Sequence, residues 1–189
     1  KNLEIKTRTS VAAYHQYNYL LARENLTDHL EAKDKTNKIR QRLLKIRAKK
    51  VILATGALER PLIFNNNDRP GIMLSSAIKK YSEFYGVACG SKNVFFTNND
   101  SAYESAISLY NKGINVEAII DIREQSESKI VKKVKEAGIK IYWSHSIVDT
   151  TGYKRLNSIS IMKLSNDGTS VTGSKISISC DCLGVAGGW

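Results

Sequence analysis

The spacing of apolar and polar positions changes twice along this chain. In roughly the first sixty residues, apolar side chains come every second residue or in short runs, which is strand periodicity. Leu3-Glu4-Ile5-Lys6 alternates as a short strand. Ser10 to Arg23 carries Tyr14, Tyr17 and Tyr19, and Tyr17 to Leu21 has strand composition. Residues 24–39 are polar and read as a loop or hairpin tip. Leu43 to Ala48 alternates apolar with basic residues, as a strand with one solvated face does. Val51-Ile52-Leu53 then runs into Ala54-Thr55-Gly56, and Pro61 stops regular structure. That run predicts a buried strand ending in a small-residue turn, where another group can approach the backbone closely.

From residue 75 the period lengthens. Ser75 to Phe84 reads as a helix capped by Ser75 or Ser76, with Ile78, Tyr81 and Tyr85 on one side and Gly86 and Gly90 beyond its end. Residues 91–143 alternate strand and helix: Asn93 to Phe96, then a helix from Asp100 to Asn111, Val116 to Ile120, a helix from Glu127 to Ala137, and Ile139 to Trp143. Ala102, Ala106, Leu109 and Tyr110 share one helical face, and Gly113 and Gly138 stop the two helices. A βαβαβ order implies a parallel sheet with right-handed crossovers. After it the two-residue period returns. Arg155 to Leu164 and Val171 to Ser179 read as antiparallel strands about the turn Asn166-Asp167-Gly168. Cys182 to Gly188 reads as a return strand into a glycine-rich turn.

Composition adds three constraints. With 29 basic and 18 acidic residues among 189, the net charge is +11. The basic residues are scattered, only Lys33 to Lys50 is dense, and few aromatics interleave with them, so the pattern argues against nucleic-acid binding. No apolar run is long enough for a membrane span, and there is no secretory signal pattern. Cys89, Cys180 and Cys182 form neither an ordinary disulfide spacing nor a Cys-x-x-Cys redox pair, which suits small buried thiols in a reducing cytoplasm. The chain opens on Lys1 and stops at Gly187-Gly188-Trp189 directly after an apolar run, so it reads as a piece of a longer polypeptide.

The chemistry-bearing motif of a βαβ unit is altered. A dinucleotide site there needs G-x-G-x-x-G, so that the pyrophosphate can approach the helix N-terminus. The corresponding place reads Phe96-Thr97-Asn98-Asn99-Asp100-Ser101-Ala102-Tyr103-Glu104. Asparagine can keep the turn, but its side chain intrudes where glycine leaves room. Asp100 becomes an N-cap that repels an anion. Asp121, near a ribose-binding position, reads as a strand-end or cap residue. We therefore expect a degenerate, structural Rossmann-like unit.

Two blocks carry a family resemblance. They are Ala54-Thr55-Gly56-Ala57-Leu58-Glu59-Arg60-Pro61 with Asn67-Asp68-Arg69-Pro70-Gly71-Ile72-Met73-Leu74, and Thr97-Asn98-Asn99-Asp100-Ser101-Ala102-Tyr103. Together with Gly187-Gly188-Trp189 they resemble the α subunit of heterotetrameric sarcosine oxidase, from residue 43 onward and more weakly before it. Amine- and opine-dehydrogenase subunits share the first block more loosely. The second block, which lacks the glycines that related reductases carry, points to sarcosine oxidase.

The resemblance implies an α/β chain, part of a two-dinucleotide-domain flavoprotein fold. Residues 1–90 would form a partial FAD/NAD-type domain with a β-meander and the Ala-Thr-Gly turn. Residues 91–155 would be an inserted degenerate Rossmann-like domain, and residues 156–189 strands returning to the first. It implies an enzyme that demethylates sarcosine to glycine with oxygen, giving hydrogen peroxide and formaldehyde or methylene-tetrahydrofolate. FAD chemistry would lie in the β subunit, FMN at the α–β interface, and a tightly bound NAD in the α subunit, with γ and δ subunits completing the tetramer. A glycine-rich N-terminal strand would precede residue 1, and a tetrahydrofolate-binding domain would follow residue 189. By the same resemblance Ala54, Thr55 and Gly56 line the dinucleotide, Val11 contacts the adenine through its backbone, and Gly187 and Gly188 approach the cofactor a second time.

Other readings of these residues are plainer. Val11 also suits core packing, Arg60 suits a surface pair with Glu59, and Tyr81, Phe84 and Tyr85 suit core or subunit contact. His15, His29 and His145 show no metal spacing, and no catalytic triad or carboxylate pair stands out. Two other functions fit less well. A nicotinamide-dependent flavoprotein reductase would need glycines at 97–99. A pure interaction module is permitted by the charge alone.

Overall fold

The computed structural model describes residues 3–35 and 38–189. Two compact units divide between Gly56 and Ala57. The first is an antiparallel meander of β1 (Thr9–His15), β2 (Tyr19–Asn25) and β3 (Gln41–Arg47), in that order. Its strands form where alternation was legible, with corrections. Tyr17 does not lie in a strand: Gln16–Asn18 makes a single 3-10 turn in which Tyr17 and Asn18 take φ of 59° and 53°. The turn is held by its own side chains. The Tyr14 hydroxyl donates to Asn18 Oδ1 at 2.7 Å, and Asn18 Nδ2 donates to the Lys49 carbonyl at 3.1 Å. A short helix α1 (Ala32–Lys35) lies in the polar tip. Leu20 and Ala22 are buried, whereas Leu43 and Ile46 of β3 are exposed.

Two expected strands are not formed. Leu3–Lys6 is irregular, and so is Val51–Leu53, with Ile52 92% and Leu53 68% exposed. Strand composition alone does not make a strand, because the backbone N–H and C=O groups need a ladder partner. Among the described residues the meander's ladder ends at β3, and nothing pairs with residues 51–53.

The second unit has three layers. Its elements are β4 (Ile72–Leu74), α2 (Ser75–Phe84), β5 (Asn93–Thr97), α3 (Ser101–Asn111), β6 (Val116–Asp121), α4 (Lys129–Glu136), β7 (Lys140–Trp143), β8 (His145–Thr151), β9 (Ser158–Leu164), β10 (Val171–Ser179) and β11 (Cys182–Ala186). A parallel sheet of order β4-β11-β5-β6-β7 has helices on one face and the antiparallel sheet β10-β9-β8 on the other. Covering both faces explains the unbroken apolar runs of the central strands, since every residue of β5 and β11 is buried. Successive side chains serve opposite layers. Phe95 and Ile119 pack with Ala102, Tyr103, Leu109 and Val131. Val94, Phe96, Ala118 and Ile120 pack with Ile147, Leu156, Ile159 and Ile161. The expected domain limits at residues 90 and 155 both fall inside this unit. Residues 182–186 enter the middle of the parallel sheet, pairing with β4, which lies within residues 1–90, and with β5.

Local details differ from the sequence reading in physically informative ways. Neither Ser75 nor Ser76 caps α2. Leu74 holds the cap position without a side-chain bond, and Glu59 supplies the acceptor from outside the helix. Glu59 is buried, so the expected surface pair with Arg60 does not form. Of the expected apolar face of α2, only Ile78 is buried. Tyr81, Phe84 and Tyr85 are 44%, 77% and 58% exposed, which excludes the core reading for this aromatic cluster. On α3 the exposed Tyr110 is replaced in the core by Tyr103. His145 opens β8 and is half-buried, its Nδ1 2.6 Å from the Trp143 carbonyl. No helix among the described residues is long and apolar enough to cross a membrane.

β11 reaches the centre of the sheet because Gly184 has no side chain. A Cβ there would stand 2.6 Å from the Phe95 ring and 3.0 Å from Ile78 Cδ1. Gly184→Val should therefore cost about 1–3 kcal/mol of stability, read as a lower urea midpoint. An unchanged midpoint would contradict the packing of α2 on β11.

Candidate functional site

In the first unit, one cleft gathers most of the residues expected to hold a cofactor. Val11–Tyr14 and Leu20 form one wall and Val51–Thr55 the other, around about 400 Å³. That volume lies within the range usual for small-molecule sites, roughly 300–1,000 Å³. Val11 is 59% exposed and is therefore no core residue. The register of β1 on β2 shifts between Val11 and Ala13, a bulge that re-aims this stretch of backbone. Among the described residues, the backbone N–H groups of Ala54, Thr55 and Gly56 have no intramolecular acceptor. Gly56 takes φ +75°, with open space where a Cβ would be. Apart from Tyr14 and Thr55, the lining side chains are apolar, and none is charged. The cleft therefore fits a flat, largely apolar ring read by backbone donors, and it offers no cation to a pyrophosphate.

Gly187 and Gly188 belong to the second unit, at the carboxyl edge of its parallel sheet. A Cβ on Gly187 would meet the Arg60 carbonyl at 2.8 Å, so the close approach this glycine allows is to the chain's own backbone. Gly187 N–H donates to Arg60 O at 2.6 Å, and Arg60 N–H donates to Gly188 O at 2.8 Å. Gly188, at φ +101°, has open space beside it.

The altered βαβ turn lies at the same edge. Strands β5, β6 and β7 run outward to one side while β11 and β4 lie on the other, so the strand order reverses at β5 and β11. Ligands of open α/β sheets bind at such a reversal. Here the place is filled from within. Thr97 Oγ1 donates to Asn99 O at 2.8 Å, Asn98 Nδ2 donates to Gly187 O at 3.4 Å, and Asn99 Nδ2 donates to Ala186 O at 3.2 Å. Asn99 Oδ1 accepts the N–H and hydroxyl of Ser101 at 2.9 and 2.6 Å. Asn99 therefore caps α3. Asp100, expected to do so, makes no cap bond and instead pairs with Arg123 at 2.8 Å.

Asp121 ends β6 fully buried, and its acceptor capacity is spent on the protein. Oδ2 accepts the Tyr103 hydroxyl at 2.7 Å and Arg123 Nη2 at 2.8 Å, while Oδ1 accepts the Arg123 N–H at 2.9 Å and Nε at 3.1 Å. A carboxylate has about four acceptor positions, so none remains for a ribose. Burial, with the bond to Asp121, pushes the Tyr103 phenol well above its usual range. The bonds to Asp121 raise the Arg123 pKa further still. Tyr103 and Arg123 were not singled out in the sequence. The available signal was Arg123 two residues after Asp121 at a strand end.

The remaining candidates are quiet. Among the described residues no His, Cys, Asp or Glu cluster has the geometry of a metal site. Cys180 and Cys182 are buried and Cys89 is partly buried. Burial pushes the Cys180 and Cys182 thiols up to about 12.

No known family profile matches the chain. Sequence comparison finds the α subunits of sarcosine oxidase from Corynebacterium sp. strain P-1 (38% identity over 184 residues), Corynebacterium sp. strain U-96 (34% over 182) and Rhizobium meliloti strain 1021 (35% over 145). The two Corynebacterium alignments take in 96% of this chain and 19% of the relative, and the Rhizobium alignment 74% and 15%. The chain thus spans about a fifth of the length of the curated relatives it matches. The resemblance drawn from residues 54–74 and 97–103 is borne out. Solved structures of similar fold include T. acidophilum thioredoxin reductase (TM-score 0.59, 21% identity, 78% of this chain and 47% of that one). A FAD-dependent pyridine nucleotide-disulphide oxidoreductase from Desulfovibrio vulgaris is another (0.56, 14%, 96% and 43%). The NAD-dependent persulfide reductase from A. fulgidus is a third (0.55, 14%, 95% and 30%). They establish the expected two-dinucleotide flavoprotein type of fold.

Two outcomes follow from this geometry. Asp121→Asn should cost about 2–4 kcal/mol in urea unfolding, because it leaves the buried donors of Arg123 and Tyr103 short of acceptors. The thiols give a pH dependence. Cys180 and Cys182 hold their protons to about 12 when folded against an ordinary 9.0, so their contribution is complete below pH 9.0 and is lost as pH rises toward 12. The urea midpoint should fall across that window, and a Cys180→Ala/Cys182→Ala variant should show a shallower fall.

Proposed function

We propose that this relative of sarcosine oxidase α subunits is the dinucleotide-binding portion of such a subunit and holds NAD without carrying out the oxidation. The observation that carries the reading is the cleft at Val11, Ala54 and Thr55, in a chain alike to those subunits over 96% of its length. An adenine ring fits that cleft: apolar side chains cover its faces, and free backbone N–H groups read its edge. Gly56 leaves room for further approach to the backbone. The pyrophosphate needs donors from outside the cleft, because no charged side chain lines it.

In this reading the demethylation of sarcosine to glycine, with oxygen as acceptor, belongs to the whole oxidase. The FAD lies in the β subunit and the FMN at its interface with the α subunit. Tetrahydrofolate belongs to a separate part of the α subunit, and γ and δ subunits complete a cytoplasmic assembly. The alternative of a nicotinamide-dependent reductase is disfavoured by the filled βαβ turn, where Asn98 and Asn99 bond across to β11.

The test is to purify the complete α subunit carrying this segment, denature it, and identify the released nucleotide by mass spectrometry and absorbance. NAD near one equivalent is expected. Ala54→Leu, which fills the cleft from its floor, should lower the released NAD at least tenfold while leaving the fold intact by circular dichroism. Release of FAD alone, or undiminished NAD from Ala54→Leu, would overturn the assignment.

A further inference from the structure

We infer that Glu59 is an internal anion that closes the second dinucleotide crevice of this fold and turns the second unit into a scaffold. The unit's helices α2 and α3 follow β4 and β5, the two strands that flank β11, so both N-termini open at the carboxyl edge where the strand order reverses. The positive ends of two helix dipoles facing one crevice favour an anion between them. That anion is already present in the chain. Glu59 is only 5% exposed. Its Oε2 accepts the Ser76 N–H of α2 at 2.8 Å, its Oε1 accepts the Ser75 hydroxyl at 3.4 Å, and Oε1 lies 3.5 Å from Ser101 Oγ of α3, whose proton goes to Asn99. The Ser75 hydroxyl also lies 3.1 Å from Ser105 Oγ, which ties the two helices together beside the carboxylate.

The position of Glu59 is fixed by its neighbours. Arg60 exchanges two backbone hydrogen bonds with Gly187 and Gly188, which anchors residues 59–61 across the end of β11. Asn98 and Asn99 reach the carbonyls of Gly187 and Ala186 from the other side. A phosphate entering this crevice would have to displace a buried carboxylate of like charge and break these bonds. The loss of the glycines at 97–99 and the inward turn of Glu59 are thus two halves of one closure. The inference stands on the second unit alone and does not depend on which nucleotide the first unit takes.

The experiment uses the purified complete subunit carrying this segment and its variants Glu59→Gln and Glu59→Ala. Glu59→Gln keeps the shape and removes the charge, so it should melt lower than the parent by on the order of 5 °C. Glu59→Ala should melt lower still, and formate should restore at least half of the loss where chloride at equal ionic strength does not. By isothermal titration, Glu59→Ala should bind one equivalent of formate that the parent does not, while Asn98 and Asn99 still bar pyrophosphate from both. Should Glu59→Ala fail to fold, the Glu59→Gln melt decides alone. A Glu59→Gln melt matching the parent would overturn the inference, as would formate acting no better than chloride. Equal formate stoichiometry in parent and Glu59→Ala would also overturn it.

Discussion

The second unit depends on one long-range pairing: β11 between β4 and β5. Leu183 pairs with Ile72 on one side and Val94 on the other, and all five residues of the strand are buried. Without it β4 has no neighbour in the sheet, and the sheet loses both the point where its strand order reverses and the floor of the closed crevice. The strand contributes apolar residues to both layers, with Cys182 and Ala186 toward the helices and Leu183 and Val185 toward the antiparallel sheet. Gly184 lets Phe95 and Ile78 close over its middle. Two thin layers thereby share one covered parallel sheet, which buries far more apolar surface than either layer could bury alone.

The two units treat their dinucleotide heritage in opposite ways. In the second, the side chains at the altered turn are already engaged. Asp121 is saturated by Tyr103 and Arg123, Asn99 caps α3, and Glu59 meets the N-terminus of α2. In the first, small side chains and unpaired backbone donors around Ala54 and Thr55 leave a cleft open. A buried carboxylate holding several donors is stable because its desolvation is offset by charge-assisted hydrogen bonds. The same bonds make such a site unavailable to an outside ligand.

Much of this was legible in the sequence, and the failures have common causes. The helix from Ser75 to Phe84 and the βαβαβ order were readable because their periodicity is local and their stops are glycines. The loss of the dinucleotide turn was readable because glycine-to-asparagine changes act through the backbone at the position itself. Val51–Leu53 misled because β-branched composition says nothing about the presence of a ladder partner. Glu59 misled because its partners, Ser75 and Ser76, lie 16 and 17 residues away. Of the two readings for Tyr81, Phe84 and Tyr85, core or subunit contact, the core one fails because a helical stripe of aromatics is buried within a chain only when another element of that chain covers it. Strand β8 was missed because His145 to Thr151 alternates polar residues on a half-buried face.

The placement of β11 also bears on biosynthesis. A ribosome delivers β4, β5, β6 and β7 before the strand that belongs between the first two. Until residues 182–186 clear the exit tunnel, β5 presents an unpaired parallel edge flanked by apolar surface, and β4 has nothing to join. Such an edge is the kind of surface that other nascent strands and holding chaperones bind. Strand β11 is thus the step that commits this unit to its native sheet, and a translational pause shortly before it would prolong the state most open to misassembly.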